Sequence, residues 1–256
     1  MKVLLTFDVE EFDVPEEFGQ TVSFEDKINV STTGFHNLLE IVDKHDVATT
    51  LFTTAVYAQE QKELIKKLAG KHEIASHGFY HSAFKNEDLY TSKQVLEQIS
   101  GSAVTGFRMA RLAPVSNDEI AKAGYTYNSS LNPTWIPGRY NHLGKPRKPF
   151  MEGNVLQVPV SVTPTLRIPL FWLSIKNFPM VWLKQALRST LKRDGLLSLY
   201  FHPWEFTDIQ AYQSLPFYIR RNSGTGMLQR LDEIVKMLKN EGEFVTMNTL
   251  VEPGKR

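Results

Sequence analysis

The chain has 256 residues, 29 of them Lys or Arg against 28 Asp or Glu, a net charge of +1, no cysteine and 42% hydrophobic residues. This length and apolar content suit one soluble domain over residues 1–256 with a sizeable core, and near-neutrality excludes the basic field that attracts a phosphate backbone, so no nucleic-acid partner is expected. The absence of cysteine excludes a disulfide framework and thiolate chemistry.

The first apolar run, VLLTFDV at 3–9, is too short for a signal peptide and reads as a strand, so the expected location is the cytoplasm. An acidic loop follows, then a helix from about Thr32 with Phe35, Leu38, Leu39 and Val42 on one face. The β-branched run VATTLFT at 47–53 suits a strand covered on both sides. A helix carrying Leu64, Ile65 and Leu68 should stop at Gly70 in a left-handed cap. EIASH is a third strand, Asn86 opens a helix ending at Gly101, and VTGFR is a fourth strand. Ser116 to Glu119 has the form of a capping box. Strands YTYNSS, VLQVPVSV, LLSLYFH and EFVTM complete the chain, the last two separated by the amphipathic helix MLQRLDEIVKMLK. Strands alternating with helices predict a parallel βα sheet, closed or nearly closed. The apolar stretch 164–183 is broken by Arg167, Lys176 and three prolines, too often for a spanning helix. It reads as a connection whose Phe171 and Trp172 pack on the barrel wall. Lys184, Arg188, Lys192 and Arg193 follow at helical spacing, which also suits peripheral contact with an anionic membrane.

Asp8, His77, His81, Arg108 and His202 all lie at or just beyond the ends of short apolar runs, the positions from which a βα barrel builds its active face. His77 and His81 are four apart and can converge on one divalent ion, although histidines at this spacing also occur on ordinary surfaces. Asp8 and Glu10 alternate onto one side of an extended strand, which makes a two-histidine, one-carboxylate ligand set with a carboxylate to spare. A spare carboxylate there can serve as general base, whereas Glu16 and Glu17 read as solvated loop acids. Arg108 can hold Asp8 ionised. His202, forced into an extended conformation by Pro203, can serve as general acid, although a lone strand-end histidine is more often structural.

Taken together, Thr6-Phe7-Asp8-Val9-Glu10, Ser76-His77-Gly-Phe-Tyr-His81, Gly106-Phe107-Arg108 and the Leu197 to His202 run resemble the motifs of the polysaccharide deacetylase family, the carbohydrate esterases of chitooligosaccharide-deacetylase type. The His-Pro-Trp-Glu continuation is similar to a branch associated with exopolysaccharide gene clusters. The resemblance implies a distorted (β/α) barrel of about seven units and a divalent ion, zinc first and cobalt or nickel otherwise. By carry-over Asp8 is the base, His77 and His81 are ligands, and His202 is the acid. Three positions depart from the family pattern. Val9 stands where a second aspartate is usual, which moves the carboxylate ligand to Glu10. Ala110 replaces a proline. Asn128 stands where an aspartate normally backs the later histidine. Arg108, Asn128, Trp135 and Trp204 are expected around the substrate or behind the ligands, with Trp135 as an aromatic lid. The implied activity is metal-dependent removal of acetyl groups, N-acetyl ahead of O-acetyl, from an acetylated carbohydrate. The alternatives are a deacylase or amidase of the same fold acting on a lipid-linked or small non-polymeric amide, and a catalytically weak carbohydrate-binding relative.

Overall fold

The computed structural model describes residues 1–251. The first half of the chain runs β1 (Lys2–Val9), α1 (Phe24–Lys44), β2 (Thr50–Thr53), α2 (Ala55–Glu60), α3 (Lys62–Leu68), β3 (Glu73–Ser76), α4 (Glu87–Ser100), β4 (Gly106–Phe107), α5 (Asn117–Lys122) and β5 (Tyr127–Asn128). The hairpin β6 (Trp135–Ile136) and β7 (Tyr140–Asn141) comes next, followed by β8 (Phe150–Glu152) and β9 (Val155–Gln157). The remainder is α6 (Trp172–Asn177), α7 (Met180–Asp194), β10 (Leu196–Phe201), α8 (Phe217–Arg220), α9 (Thr225–Leu238) and β11 (Glu243–Phe244).

The parallel strands lie side by side in the order β10-β1-β2-β3-β4-β5-β9, with β8 antiparallel on the far edge. β11 pairs with Lys2 and Val3, the part of β1 that β2 leaves free because its own pairing starts at Thr6. The sheet curls until its two ends meet just beyond β9. There Ser161 N–H donates to the Ser198 carbonyl at 3.0 Å and Ser161 Oγ accepts from Ser198 N–H at 2.9 Å. The result is a distorted (β/α) barrel of seven parallel strands, stitched rather than laddered along one seam.

Strand alternation sorts the side chains into two layers. On β1, Val3, Leu5, Phe7 and Val9 pack outward beneath the helices, in one core with Leu38, Val42 and Leu231. The alternate residues Leu4, Thr6 and Asp8 face the barrel interior, where Leu4 meets Phe52, Ala75, Tyr127 and Met247. Gly106 is required on β4 because the Tyr127 ring lies where its Cβ would be, 1.9 Å from the nearest ring atom. That close approach lets the Tyr127 hydroxyl donate to buried Glu73 at 2.7 Å and close the barrel floor.

Several local expectations change. α1 starts eight residues early, at Phe24, because Ser23 caps it by accepting from Asp26 N–H at 3.1 Å. The second helix is broken at Gln61 into α2 and α3, and it ends on right-handed Ala69 rather than on a left-handed Gly70. Ser116 precedes α5 without a side-chain cap. Residues 164–183 are not one connection, since they contain all of α6 and the start of α7. The basic stripe of α7 is largely neutralised by α9 and the turn after it: Lys184 pairs with Glu233 at 2.6 Å and Arg188 with Glu241 at 3.0 Å. No helix among the described residues is long and apolar enough to cross a membrane.

Candidate active site

The inward face of β1 rises from Leu4 through Thr6 to Asp8, and the next residue in that alternation, Glu10, lies just past the strand end. His77 continues the inward face of β3, and Gly78, at φ +86°, turns the chain so that His81 returns to the same place. Glu10 Oε2 lies 3.1 Å from both His77 Nε2 and His81 Nε2, and all three residues are buried. The donor set fits a divalent ion. Two imidazole nitrogens and one carboxylate oxygen suit zinc and its neighbours, and the second Glu10 oxygen is occupied by Trp204 Nε1–H at 3.2 Å. Asp13 Oδ1 sits 2.7 Å from His81 Nδ1, which fixes the proton there and turns Nε2 toward the site. Burial alone would raise the proton affinity of Glu10, but His81, His202 and His77 outweigh it and hold the carboxyl well below the ordinary range. Burial opposes charge on His81 as well, yet Glu10 and Asp13 raise its pKa to about 9.

Beside this group stand two further units. Arg108 Nη1 donates to Asp8 Oδ1 at 2.6 Å and to Thr6 Oγ1 at 2.9 Å, while Nε and Nη2 are held by Ser129 O and Oγ at 3.1 and 2.8 Å. The guanidinium lies 4.0 Å from the centre of the Phe52 ring, so it is fixed in position as well as charged. On the opposite side His202 Nε2 lies 4.0 Å from Asp8 Oδ2 and 3.9 Å from Glu10 Oε1. Its other nitrogen, Nδ1, sits 3.2 Å from Glu205 Oε1, which also accepts the His202 backbone N–H at 2.8 Å. Trp204 stacks on the imidazole at 4.9 Å and Trp172 meets it edge-on at 5.3 Å. Burial works against protonating His202, but Glu10, Glu205 and Asp8 together raise its pKa. Behind Glu205 lies Lys176, fully buried, with Nζ 3.5 Å from Glu205 Oε2 and donating to the Ile219 carbonyl at 3.0 Å.

The structure thus brings Asp8, Glu10, His77, His81, Arg108, His202 and Trp204 together. It places two expected residues elsewhere, each by one step of alternation. On β5 the inward residue is Tyr127, so Asn128 faces out and donates to Asn117 at 3.4 Å; its neighbour Ser129 is the one that reaches Arg108. Trp135 is 58% exposed, and across the hairpin the opposed pair Ile136 and Tyr140 turns to the cavity instead. The carboxylate missing at Asn128 is supplied by Glu205. Proline at 203 starts a 3₁₀ turn over Pro203–Phe206 that folds Glu205 back on His202, and the His-Pro-Trp-Glu string was the available signal. Asp13 and Lys176 had no comparable sequence signal.

A cavity of about 270 Å³ opens over these groups. Asp8, Glu10, His81 and His202 form its base, and Phe171, Trp172, Tyr200 and Tyr218 contribute to its apolar wall. Buried carboxylates and imidazoles converging under an apolar wall form an arrangement suited to hydrolysis of a small polar bond.

Comparison with known proteins agrees with this geometry. Residues 2–127, which carry every site residue up to Arg108, match the sequence model of the family described as polysaccharide deacetylase. No curated relative matches the chain. Among solved structures, one described as a polysaccharide deacetylase from Mycobacterium smegmatis superposes with a TM-score of 0.65 at 18% identity, covering 97% of this chain and 88% of that one. An allantoinase gives 0.62 at 16% identity over 95% and 85% of the two chains. A peptidoglycan N-acetylglucosamine deacetylase gives 0.53 at 15% identity over 97% and 86%. At such identities the superpositions speak for the fold, and the matched sequence speaks for the family: the chain belongs to the polysaccharide deacetylase family.

Proposed function

We propose that the protein is a metal-dependent hydrolase that removes acetyl groups from a carbohydrate, N-acetyl ahead of O-acetyl. The observation that carries this reading is the placement of an arginine-held carboxylate and a carboxylate-held imidazole on either side of the Glu10, His77 and His81 group, all beneath one cavity. A divalent ion held by those three residues, zinc first and cobalt or nickel otherwise, would polarise the acyl carbonyl and offset the charge that develops on its oxygen. Asp8, held in place by Arg108, accepts the proton of the attacking water. His202 donates from Nε2 to the departing nitrogen as the carbon–nitrogen bond breaks, while Glu205 retains the proton on Nδ1. Trp172 and Trp204 exclude bulk water from the imidazole, and the indole N–H of Trp204 engages one Glu10 oxygen, which would leave the other to hold the ion. A proton donor of raised affinity matters more for an amine leaving group than for an alkoxide, which supports the amide.

A second reading, a small non-polymeric or lipid-linked amide, is favoured by the limited cavity of about 270 Å³, walled by the β6–β7 hairpin, residues 171–173 and α8. One screen tests both. Metal-loaded protein is offered chitooligosaccharides, peptidoglycan fragments, acetylated xylan and small cyclic amides, with release of acetate or ring opening as the readout. Acetate from any of the glycans supports deacetylation, and ring opening alone supports the second reading. No turnover on any of them at full metal load would leave a carbohydrate-binding relative.

A further inference from the structure

We infer that the outer face formed by Leu166, Phe178, Val181, Trp182 and Phe217 docks on an anionic lipid surface beside the mouth of the cavity. The face is apolar and open: Val181 is 84% exposed, Leu166 77% and Phe217 69%. Its parts touch in series. The Phe178 and Trp182 rings pack at 4.7 Å, and Trp182 and Leu166 wall the same shallow depression. Asn177 Nδ2, next to Phe178, donates to the Tyr218 carbonyl at 2.9 Å, which ties α6 to α8 and brings in Phe217. Tyr218 itself lines the catalytic cavity, so the apolar face runs up to its rim. A soluble chain seldom leaves such projecting side chains together without a use.

The charges around the face select the occupant. No acidic residue occurs at 153–193 or at 209–231, the two stretches that build it, whereas these carry nine bases. Lys184 is neutralised by Glu233, but Arg220 and Arg230 bond only backbone carbonyls, and Arg221 has no acidic partner among the described residues. Arg230 donates to the Phe178 carbonyl at 2.9 Å, which places its positive charge at the edge of the apolar patch. Apolar side chains projecting from a face edged by unpaired arginines match the two layers of a lipid interface, acyl chains beneath anionic headgroups. A second copy of this chain matches less well, because two-fold pairing of the face would bring two sets of arginines together with no acidic residue from 153–193 or 209–231 to meet them. The basic stripe on α7 is not the source of this charge, since Glu233 and Glu241 hold most of it.

Vesicle co-sedimentation tests the inference with the full chain, and because its readout is binding it stands or falls separately from the chemistry of the site. The protein is expected to sediment with phosphatidylglycerol vesicles at low salt, less so at raised salt, and not with phosphatidylcholine vesicles. Val181→Ser with Phe217→Ser, both surface changes outside the cavity wall, should weaken binding at least tenfold with an unchanged circular dichroism spectrum and metal content. Arg221→Gln should weaken it about fivefold. Three results would each overturn the inference: no sedimentation with phosphatidylglycerol at low salt, undiminished binding by the double variant, or a wild-type dimer that the double variant abolishes, which would assign the face to a second copy.

Discussion

Replacing Arg108 by Met separates the structural from the catalytic value of the Asp8 pair. Arg108 is fully buried, and its guanidinium is the nearest cation to Asp8, at 2.6 Å; the next, His202 Nε2, is 4.0 Å from the other oxygen. Removing one partner of a buried, hydrogen-bonded pair costs about 3–5 kcal/mol, because the carboxylate left behind has lost water and gained nothing. The other groups released are less costly. Thr6 Oγ1 still donates to the Leu199 carbonyl at 2.8 Å and Ser129 Oγ to the Val158 carbonyl at 2.8 Å, so each hydroxyl keeps one partner. Methionine refills part of the space against Phe52 and limits the cavity penalty. The single variant should therefore lose about 4 kcal/mol, a large fraction of the roughly 5–15 kcal/mol that holds a domain together. Adding Asp8→Asn replaces the stranded carboxylate by a neutral amide and should return about 2 kcal/mol while leaving activity absent. Urea unfolding of the four proteins of the cycle, all in chelator so that metal binding does not contribute, measures these differences if the slope of free energy against denaturant is constant. A single-variant loss below about 1 kcal/mol, or two substitutions that simply add, would refute the view that the pair is coupled and desolvated.

His77→Ala or His81→Ala is expected to abolish metal binding and turnover together, whereas Asp8→Asn keeps the metal and loses roughly a hundredfold or more in kcat; full metal stoichiometry in both histidine variants would remove the ligand assignment. Glu205→Gln should shift the basic limb of the pH–rate profile to lower pH and cut kcat about tenfold, since a neutral amide no longer favours the imidazolium of His202; an unmoved limb would place the acid elsewhere. In metal-free protein the His81 pKa, raised to about 9 from 6.5 by Glu10 and Asp13 against its burial, stabilises the fold fully below pH 6.5 and is lost as the pH rises through 9. Unfolding free energy at pH 10 should then fall below that at pH 6 by on the order of 3 kcal/mol, and His81→Gln should remove most of the difference; an equal drop in that variant would trace it to other groups.

What the sequence exposed and what it hid follow from the same periodicity. Asp8, Glu10, His77, Arg108 and His202 each continue the inward alternation of a strand whose other face is mostly apolar, Ser76 on β3 being an exception, so both their direction and their depth could be read from residue spacing. Asn128 and Trp135 each lie one residue from the position that faces the site, Ser129 and Ile136 respectively. β5 and β6 are only two residues long, too short for alternation to set the register without the neighbouring strands. Asp13 and Lys176 reach the site from a loop and from α6, elements whose approach depends on packing between the helices and the barrel rather than on any local pattern.

Glu205 shows why a missing residue in a family pattern need not mean a missing function. An imidazole that must carry a proton in a buried site needs a carboxylate on its far nitrogen, but the requirement concerns distance and direction, not which strand provides the group. In this chain Pro203 fixes the start of a tight turn, and three residues after the histidine is where such a turn returns a side chain to the ring. His202 and Glu205 therefore form one local unit at the end of β10, built without a contribution from β5. By alternation with Tyr127, the chain after β5 turns Ser129 inward, and both its hydroxyl and its carbonyl oxygen hold Arg108, which holds Asp8. The proposed base, Asp8, and the proposed acid, His202, are thus supported from different strands by separate sets of groups. On that arrangement Glu205→Gln and Ser129→Ala should add in their effects on log kcat, where a shared relay between the two halves would make them interfere.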